Sequence, residues 1–274
     1  MISPAAGSHL DNSTRKRHGF TLVELLVVIG IVAMLMGILL PALGKARDAA
    51  KMTQCASNIR QLFAAVSLYV NDNHGFCPPA HYDFITKNLH RWCGTRTTIS
   101  GEFDFSGSPI RKYLADGAVR RCPSLEVPDA PDAFEKSSGG YGYNNTYIGS
   151  STGVPSASAG VVGLFQYESR VVNLPAKLSM LRKSSETIIF TDSAIANPNL
   201  IEYSFIESPG SSGGSKSPSI HFRHRGKANV GWGDGHVSSE TLAWTADRNV
   251  YGAENARFNL AFFGPRNDSL FDRD

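Results

Sequence analysis

From Phe20 to Leu40 the chain reads FTLVELLVVIGIVAMLMGILL, a run in which Glu24 is the only charged residue. As a helix rising ~1.5 Å per residue it would be roughly 31 Å long, the thickness of a bilayer's hydrocarbon core. A cleavable secretory signal is one reading, since Arg15, Lys16 and Arg17 precede the apolar run. Its apolar region would be shorter, however, and here the run passes directly into further helical pattern. An ordinary membrane anchor leaves Glu24 unexplained, because a carboxylate in the apolar zone costs on the order of 2.5–3.5 kcal/mol and needs a partner or a purpose.

The residues around that carboxylate are Gly19-Phe20-Thr21-Leu22-Val23-Glu24. With the apolar run behind them, they resemble the class III signal of type IV prepilins and type II secretion pseudopilins. The resemblance implies that a prepilin peptidase cuts between Gly19 and Phe20 on the cytoplasmic side and N-methylates Phe20. It also implies that Glu24 is the assembly residue, pairing with the terminal amine of a neighbouring subunit. Phe20 and Glu24 are four apart on one helix face, so before assembly the new amine and the carboxylate can partly satisfy each other. Pro41 falls where this family commonly perturbs its helix, and its missing donor predicts a kink or local melting. A simple helix end at the membrane surface is the alternative. Lys45, Arg47 and Lys51 flank the far end of the run, so positive charge barely orients it. Orientation follows instead from the cleavage signal. We expect a cytoplasmic leader over 1–19, a transmembrane half-helix over 20–40, an amphipathic half over 41–73 and a periplasmic globular, β-rich domain over 74–274.

Beyond Pro41, Met52, Cys55, Ile59, Leu62, Phe63, Val66, Tyr69 and Val70 recur at helical steps. The helix should stop near Asn71–Gly75, where Asn-Asp-Asn-His-Gly supplies turn chemistry. Strands are expected over 161–167, 187–191, 203–206, 219–223, 228–232 and 236–242, with Asp234-Gly235 turning a hairpin between the last two. Two Gly/Ser-rich stretches, 137–163 and 208–219, read as loops, and Ile110–Ala115 as a short helix. The expected class is α+β and type IV pilin-like: a long N-terminal helix, half transmembrane, packed on an antiparallel sheet. Arg121-Cys122-Pro123-Ser124, Tyr141-Gly142-Tyr143-Asn144 and Gly233-Asp234-Gly235-His236-Val237 also resemble a large planctomycete-type group of pseudopilin-like proteins with a C-terminal DGHV motif.

Net charge is +3, of which Arg15, Lys16 and Arg17 less Asp11 supply two units. The remainder is nearly neutral and carries no basic stripe interleaved with aromatics, so no nucleic-acid partner is expected. Cys55, Cys77, Cys93 and Cys122 contain no C-x-x-C pair. In an exported domain they can pair in three ways. We favour Cys55 with Cys122, a helix face meeting a loop, which leaves Cys77 with Cys93; buried free thiols are the alternative. Asp192, His224, Asp234 and His236 form a candidate set for zinc or calcium, although His221 and His224 would face opposite sides of one strand and the spacing is no known ligand motif. No G-x-S-x-G occurs, and the Gly-rich Gly139–Gly142 lacks the setting of a phosphate loop. No enzyme and no obligatory cofactor are expected. The resemblance implies a pseudopilin-like structural subunit of a type II secretion or type IV pilus-like filament at the bacterial inner membrane. Its partners would be prepilin peptidase, other pseudopilins and inner-membrane components of the secretion machine. The alternative is a membrane-tethered periplasmic protein that binds a ligand such as a glycan and keeps the helix as an anchor.

Overall fold

The computed structural model describes residues 21–81, 83, 87–114, 119, 121–128, 134–149, 175–210 and 217–272. One long helix, α1 (Leu22–Asp72), opens the described chain. Two compact units divide it, the first ending at Ala46 and the second beginning at Arg47.

In the first unit every described residue is exposed, including Leu22, Leu26, Ile29, Met34 and Leu39. This is the one helix among the described residues long and apolar enough to cross a membrane. α1 is continuous through Pro41, so the local melting expected there is not found. A single proline deprives only the carbonyl four residues earlier, that of Gly37, of its helical donor. The helical bonds on either side hold the turn.

The second unit is built on the lower half of α1. Cys55, Asn58, Ile59, Leu62, Ala65, Val66 and Val70 are buried at steps of three and four, which confirms the helical stripe and adds a buried polar residue, Asn58, to it. The helix stops where its turn chemistry begins. His74 and Gly75 take positive φ, and Gly75 N–H closes back on the Val70 carbonyl at 2.9 Å.

The strands are short and enter in the order β1 (His90–Arg91), β2 (Gly94–Thr95), β3 (Tyr141–Asn144), β4 (Ile188–Asp192), β5 (Ile195–Ala196) and β6 (Leu200–Ile201). Then come β7 (Phe205–Ile206), β8 (Ile220–His221), β9 (Lys227–Trp232), β10 (Val237–Thr241) and β11 (Leu260–Ala261). The main sheet runs β10-β9-β4-β3-β7, antiparallel except for the parallel pair β3 with β7. α1 packs against this mostly antiparallel sheet, which gives the pilin-like α+β arrangement. Gly231 shows how close the approach is: a Cβ there would lie 2.5 Å from Ile59 Cγ2. Ala228, Val230 and Trp232 alternate to the other face of β9, where they join Ile188, Phe222, Phe262 and Phe271 in a separate apolar cluster. Both faces of the central strands are thus covered, and β4, Ile-Ile-Phe-Thr-Asp, is buried at every position.

Several expectations need correction. The stretch 137–163 is not all loop: Tyr141–Asn144 forms β3, one strand in from the edge of the main sheet. Its Gly and Ser content masked two aromatic side chains at strand spacing, Tyr141 and Tyr143, both buried. Of the strand expected over 219–223 only Ile220–His221, β8, forms, and it pairs with β11 instead of β9. β11 had no sequence signal beyond a short apolar run. In 203–206 only Phe205–Ile206 is strand, and of the helix expected over 110–115 the described residues form a single 3-10 turn, Arg111–Tyr113. The strand expected over 161–167 lies outside the described residues.

Candidate functional site

Residues singled out from the sequence fall in two groups, one at the start of α1 and one packed against its lower half.

At the start, Thr21 and Glu24 form a capping box. Glu24 N–H donates to Thr21 Oγ1 at 3.2 Å, and Thr21 N–H donates back to Glu24 Oε2 at 2.8 Å. The Thr21 hydroxyl donates to the same carboxylate oxygen at 2.7 Å. The Thr-x-x-Glu spacing that produces this box was readable in the sequence, but only the role of Glu24 in assembly drew notice. Gly19 and Phe20 lie outside the described residues. Glu24 itself is exposed, as is the apolar surface that follows it.

The second group assembles from four separate parts of the chain. Cys55 comes from the buried stripe of α1, Cys122 from a loop, Asp192 from the end of β4 and His224 from the turn between β8 and β9. Cys55 and Cys122 are disulfide-bonded, with their Cα atoms 5.4 Å apart. Cys77 and Cys93 are not bonded to each other but are buried free thiols, a correction to the second pairing. Burial keeps both protonated, pushing Cys77 up to about 12 against a weaker opposing hydrogen bond from Tyr143, and raising Cys93 as well. Two hydrophobic pockets filled by sulfur need no covalent link to be stable.

His224 is aimed by its own turn. His224 and Lys227 exchange backbone hydrogen bonds at 3.0 and 3.2 Å around Arg225-Gly226, both with positive φ, the geometry of a tight two-residue hairpin loop. This places Nε2 of His224 3.2 Å from Asp192 Oδ2 and 3.5 Å from Cys122 Sγ. Asn229 N–H donates to Asp192 Oδ2 at 2.8 Å. Arg223 Nε lies 3.9 Å from Oδ1, while Arg223 Nη2 donates to the carbonyls of Gly140 and Ser193 at 2.9 and 2.6 Å. Burial pulls the Arg223 guanidinium below its ordinary value, and the Asp192 charge opposes that. The buried amide of Asn58, from the same stripe of α1 as Cys55, donates to Tyr141 Oη at 2.9 Å.

Of the four residues offered as a metal set, the fold therefore unites Asp192 and His224 and leaves Asp234 and His236 elsewhere. The latter two belong to the half-exposed β9–β10 turn. His236 N–H donates to Asp234 Oδ1 at 3.0 Å, and its Nδ1 lies 2.6 Å from the same oxygen. Partial burial would raise the Asp234 carboxyl, but these bonds from His236 outweigh it and leave the group lowered. The ring of His236 stacks on Trp232 with centroids 5.6 Å apart, so this pair shapes the hairpin. His221 is buried too, but its ring does not join the Asp192 group, and burial, helped by the charge of Arg223, pushes it down to about 2. Sequence reasoning had assigned Cys55 and Cys122 to a staple alone. No spacing rule links them to Asp192 and His224, because each residue arrives on a different element.

Comparison with known proteins gives three results. The family described as the prokaryotic N-terminal methylation motif matches residues 14–40. Type II secretion system core protein G of Pectobacterium carotovorum is 31% identical over 108 residues, covering 39% of this chain and 60% of that protein. The protein of the same name from Klebsiella michiganensis is 28% identical over 141 residues, covering 52% and 88%, and that from Pseudomonas aeruginosa is 34% identical over 62 residues, covering 23% and 44%. The chain thus spans less than two thirds of the length of the first two of these, from Pectobacterium and Pseudomonas. No solved structure gives a significant match. The chain carries a prokaryotic N-terminal methylation motif on a pilin-like α+β fold, and it is distantly similar to type II secretion core protein G.

Proposed function

We propose that this chain is a pseudopilin-like structural subunit of a type II secretion or type IV pilus-like filament. In this reading prepilin peptidase cuts between Gly19 and Phe20 and methylates Phe20. The subunit waits in the inner membrane with its globular unit in the periplasm, then joins other pseudopilins and the inner-membrane parts of the secretion machine. The observation that supports it best is the upper half of α1, exposed along its whole described length and bearing one carboxylate at its start. Such a surface is covered either by lipid or by like helices. Glu24 gives the second state its register: its carboxylate is held by Thr21 in the chain that still carries its leader, and a cut before Phe20 offers it an ammonium group from a neighbour. Exchange of a neutral hydroxyl donor for a charged one favours the assembled form. The match over 14–40 and the similarity to core protein G point the same way. Within this reading the chain is one of the planctomycete-type group of pseudopilin-like proteins, and the Asp-Gly-His-Val motif at the β9–β10 turn supports that reading.

Mass spectrometry of the mature N-terminus, combined with crosslinking in cells carrying Glu24→Ala, tests the proposal. We expect N-methylated Phe20 in both forms and loss of self-crosslinks in the variant. If Phe20 is methylated and Glu24→Ala leaves self-association and secretion intact, the filament role is lost.

A further inference from the structure

We propose that the Cys55–Cys122 disulfide is the closed form of a metal site, and that its reduction opens a four-coordinate site for zinc or a similar divalent transition ion built from Cys55, Cys122, Asp192 and His224. One ligand atom from each of the four lies within 4.8 Å of every other, and all four residues are buried. Two sulfurs, an imidazole nitrogen and a carboxylate oxygen are a donor set that suits tetrahedral zinc.

The distances fit more closely than proximity requires. With zinc–sulfur bonds of about 2.3 Å and zinc–nitrogen or zinc–oxygen bonds of about 2.0–2.2 Å, a tetrahedron has a sulfur–nitrogen edge of about 3.6 Å and a nitrogen–oxygen edge of about 3.4 Å. Here Cys122 Sγ to His224 Nε2 is 3.5 Å and His224 Nε2 to Asp192 Oδ2 is 3.2 Å. Two edges are therefore already near the lengths needed while the disulfide is intact. The change required is separation of the two sulfurs to about 3.8 Å, which unbonded thiols reach by side-chain rotation alone.

The surroundings are also those of a ligand site. Asp192 Oδ1 is buried without a hydrogen bond, while Oδ2 is oriented by the backbone N–H of Asn229, the kind of support that fixes ligating carboxylates. A disulfide sulfur is a poor partner for the imidazole that touches it; a metal-bound thiolate beside it would not be. Charge balances as well. Two thiolates and one carboxylate against a divalent cation leave one negative charge, and the Arg223 guanidinium beside Asp192 cancels it.

The opening step consumes a dithiol reductant. Its two thiols give two electrons and two protons to the Cys55–Cys122 bond, the sulfur–sulfur bond breaks to two thiols, and the reductant leaves as a disulfide. The divalent ion then displaces the two thiol protons into solvent and forms two metal–sulfur bonds, with neutral His224 and ionised Asp192 completing the set. A disulfide oxidant reverses both steps: it takes two electrons from the two metal-bound thiolates and two protons from solvent, leaves as two thiols, and the Cys55–Cys122 bond re-forms as the metal departs. The proposal stands independently of the filament reading.

The test uses the full chain in detergent, reduced by a phosphine that is then removed under argon, and titrated with Co²⁺ as a spectroscopic stand-in for Zn²⁺. The reduced chain should bind Co²⁺ one to one, with the sulfur-to-cobalt charge-transfer and strong d–d absorption of a tetrahedral thiolate site, and Zn²⁺ should bleach it. The oxidised chain should show neither. Asp192→Asn and His224→Gln should each weaken binding by at least about tenfold, whereas Asp234→Asn and His236→Gln should leave it unchanged. Alkylation of the reduced wild-type chain, read by mass spectrometry, covers the case in which a variant misfolds: Co²⁺ should shield Cys55 and Cys122. Absence of the charge-transfer band on reduction, its presence in the oxidised chain, its indifference to both Asp192→Asn and His224→Gln, or unshielded Cys55 and Cys122 would each overturn the proposal.

Discussion

Removing the disulfide should loosen the lower half of α1 from the rest of its unit by an amount that the chain's connectivity sets. Cys55 and Cys122 are 67 positions apart. Cross-linking a loop of that length removes denatured-chain entropy equivalent to about 4 kcal/mol at 25 °C in the chain-entropy treatment. The double variant Cys55→Ala, Cys122→Ala leaves only small gaps, since alanine and cysteine differ by one atom, so most of the effect should come from the lost link. In a unit of more than 200 residues, about 4 kcal/mol corresponds to a melting temperature lower by roughly 10 °C. The assay is thermal unfolding of the full chain in detergent with a chelator present, followed by the fluorescence of Trp92, buried against Phe190 with ring centroids 5.1 Å apart. The wild-type chain with a phosphine reductant should melt with the double variant. A shift under about 2 °C in both would refute the reasoning, because it would mean that the interface of α1 with the sheet holds without the link.

Gly231→Ala places a methyl group 2.5 Å from Ile59 Cγ2 and should destabilise the unit by about 1–3 kcal/mol through overpacking. Adding Ile59→Ala should relieve that clash, so in urea unfolding the two changes should cost less together than the sum of their separate costs. Glu135→Ala strips the buried Arg91 of a carboxylate 3.3 Å away and deprives Ser204 Oγ of its acceptor, a loss of about 3–5 kcal/mol; equal midpoints for variant and wild type would count against it. Stability should also fall with acid. Burial, reinforced by neighbouring positive charge, lowers His81 to about 4 and His221 to about 2. Both histidines thus bind fewer protons folded than unfolded, and their contribution is complete above the unfolded value near 6.5 and lost as pH drops below it. Each adds a slope approaching 1.4 kcal/mol per pH unit, and His221→Phe should remove one such slope between pH 6 and about 4.5 when denaturation midpoints are compared across that range.

The long helix and its two halves were legible from residues alone, because an apolar run and a helical stripe are local patterns. So were the hairpin turn at Asp234-Gly235 and the strands at 188–192, 227–232 and 237–241, where β-branched and aromatic residues sit between turn formers. β3 was hidden by its glycines: Tyr141–Asn144 is held as strand by Phe190 and Phe205 on either side, partners no local window contains. The pairing of β8 with β11 was hidden for the same reason.

The candidate sites divide in the same way. Gly19, Phe20 and Glu24 lie in the one continuous stretch, residues 14–40, that matches the N-terminal methylation motif, so they were candidates without the rest of the fold. Asp192 and His224 were candidates by type, but Asp234 and His236 were equally good ones until the β8–β9 turn aimed His224 inward and the β9–β10 turn left the other pair near solvent. Cys55 and Cys122 looked like a staple and nothing more. Their meeting with Asp192 and His224 depends on a helix, a loop, a strand end and a turn being packed together. Local sequence sets which donors exist, while packing sets which of them come within 4.8 Å of one another.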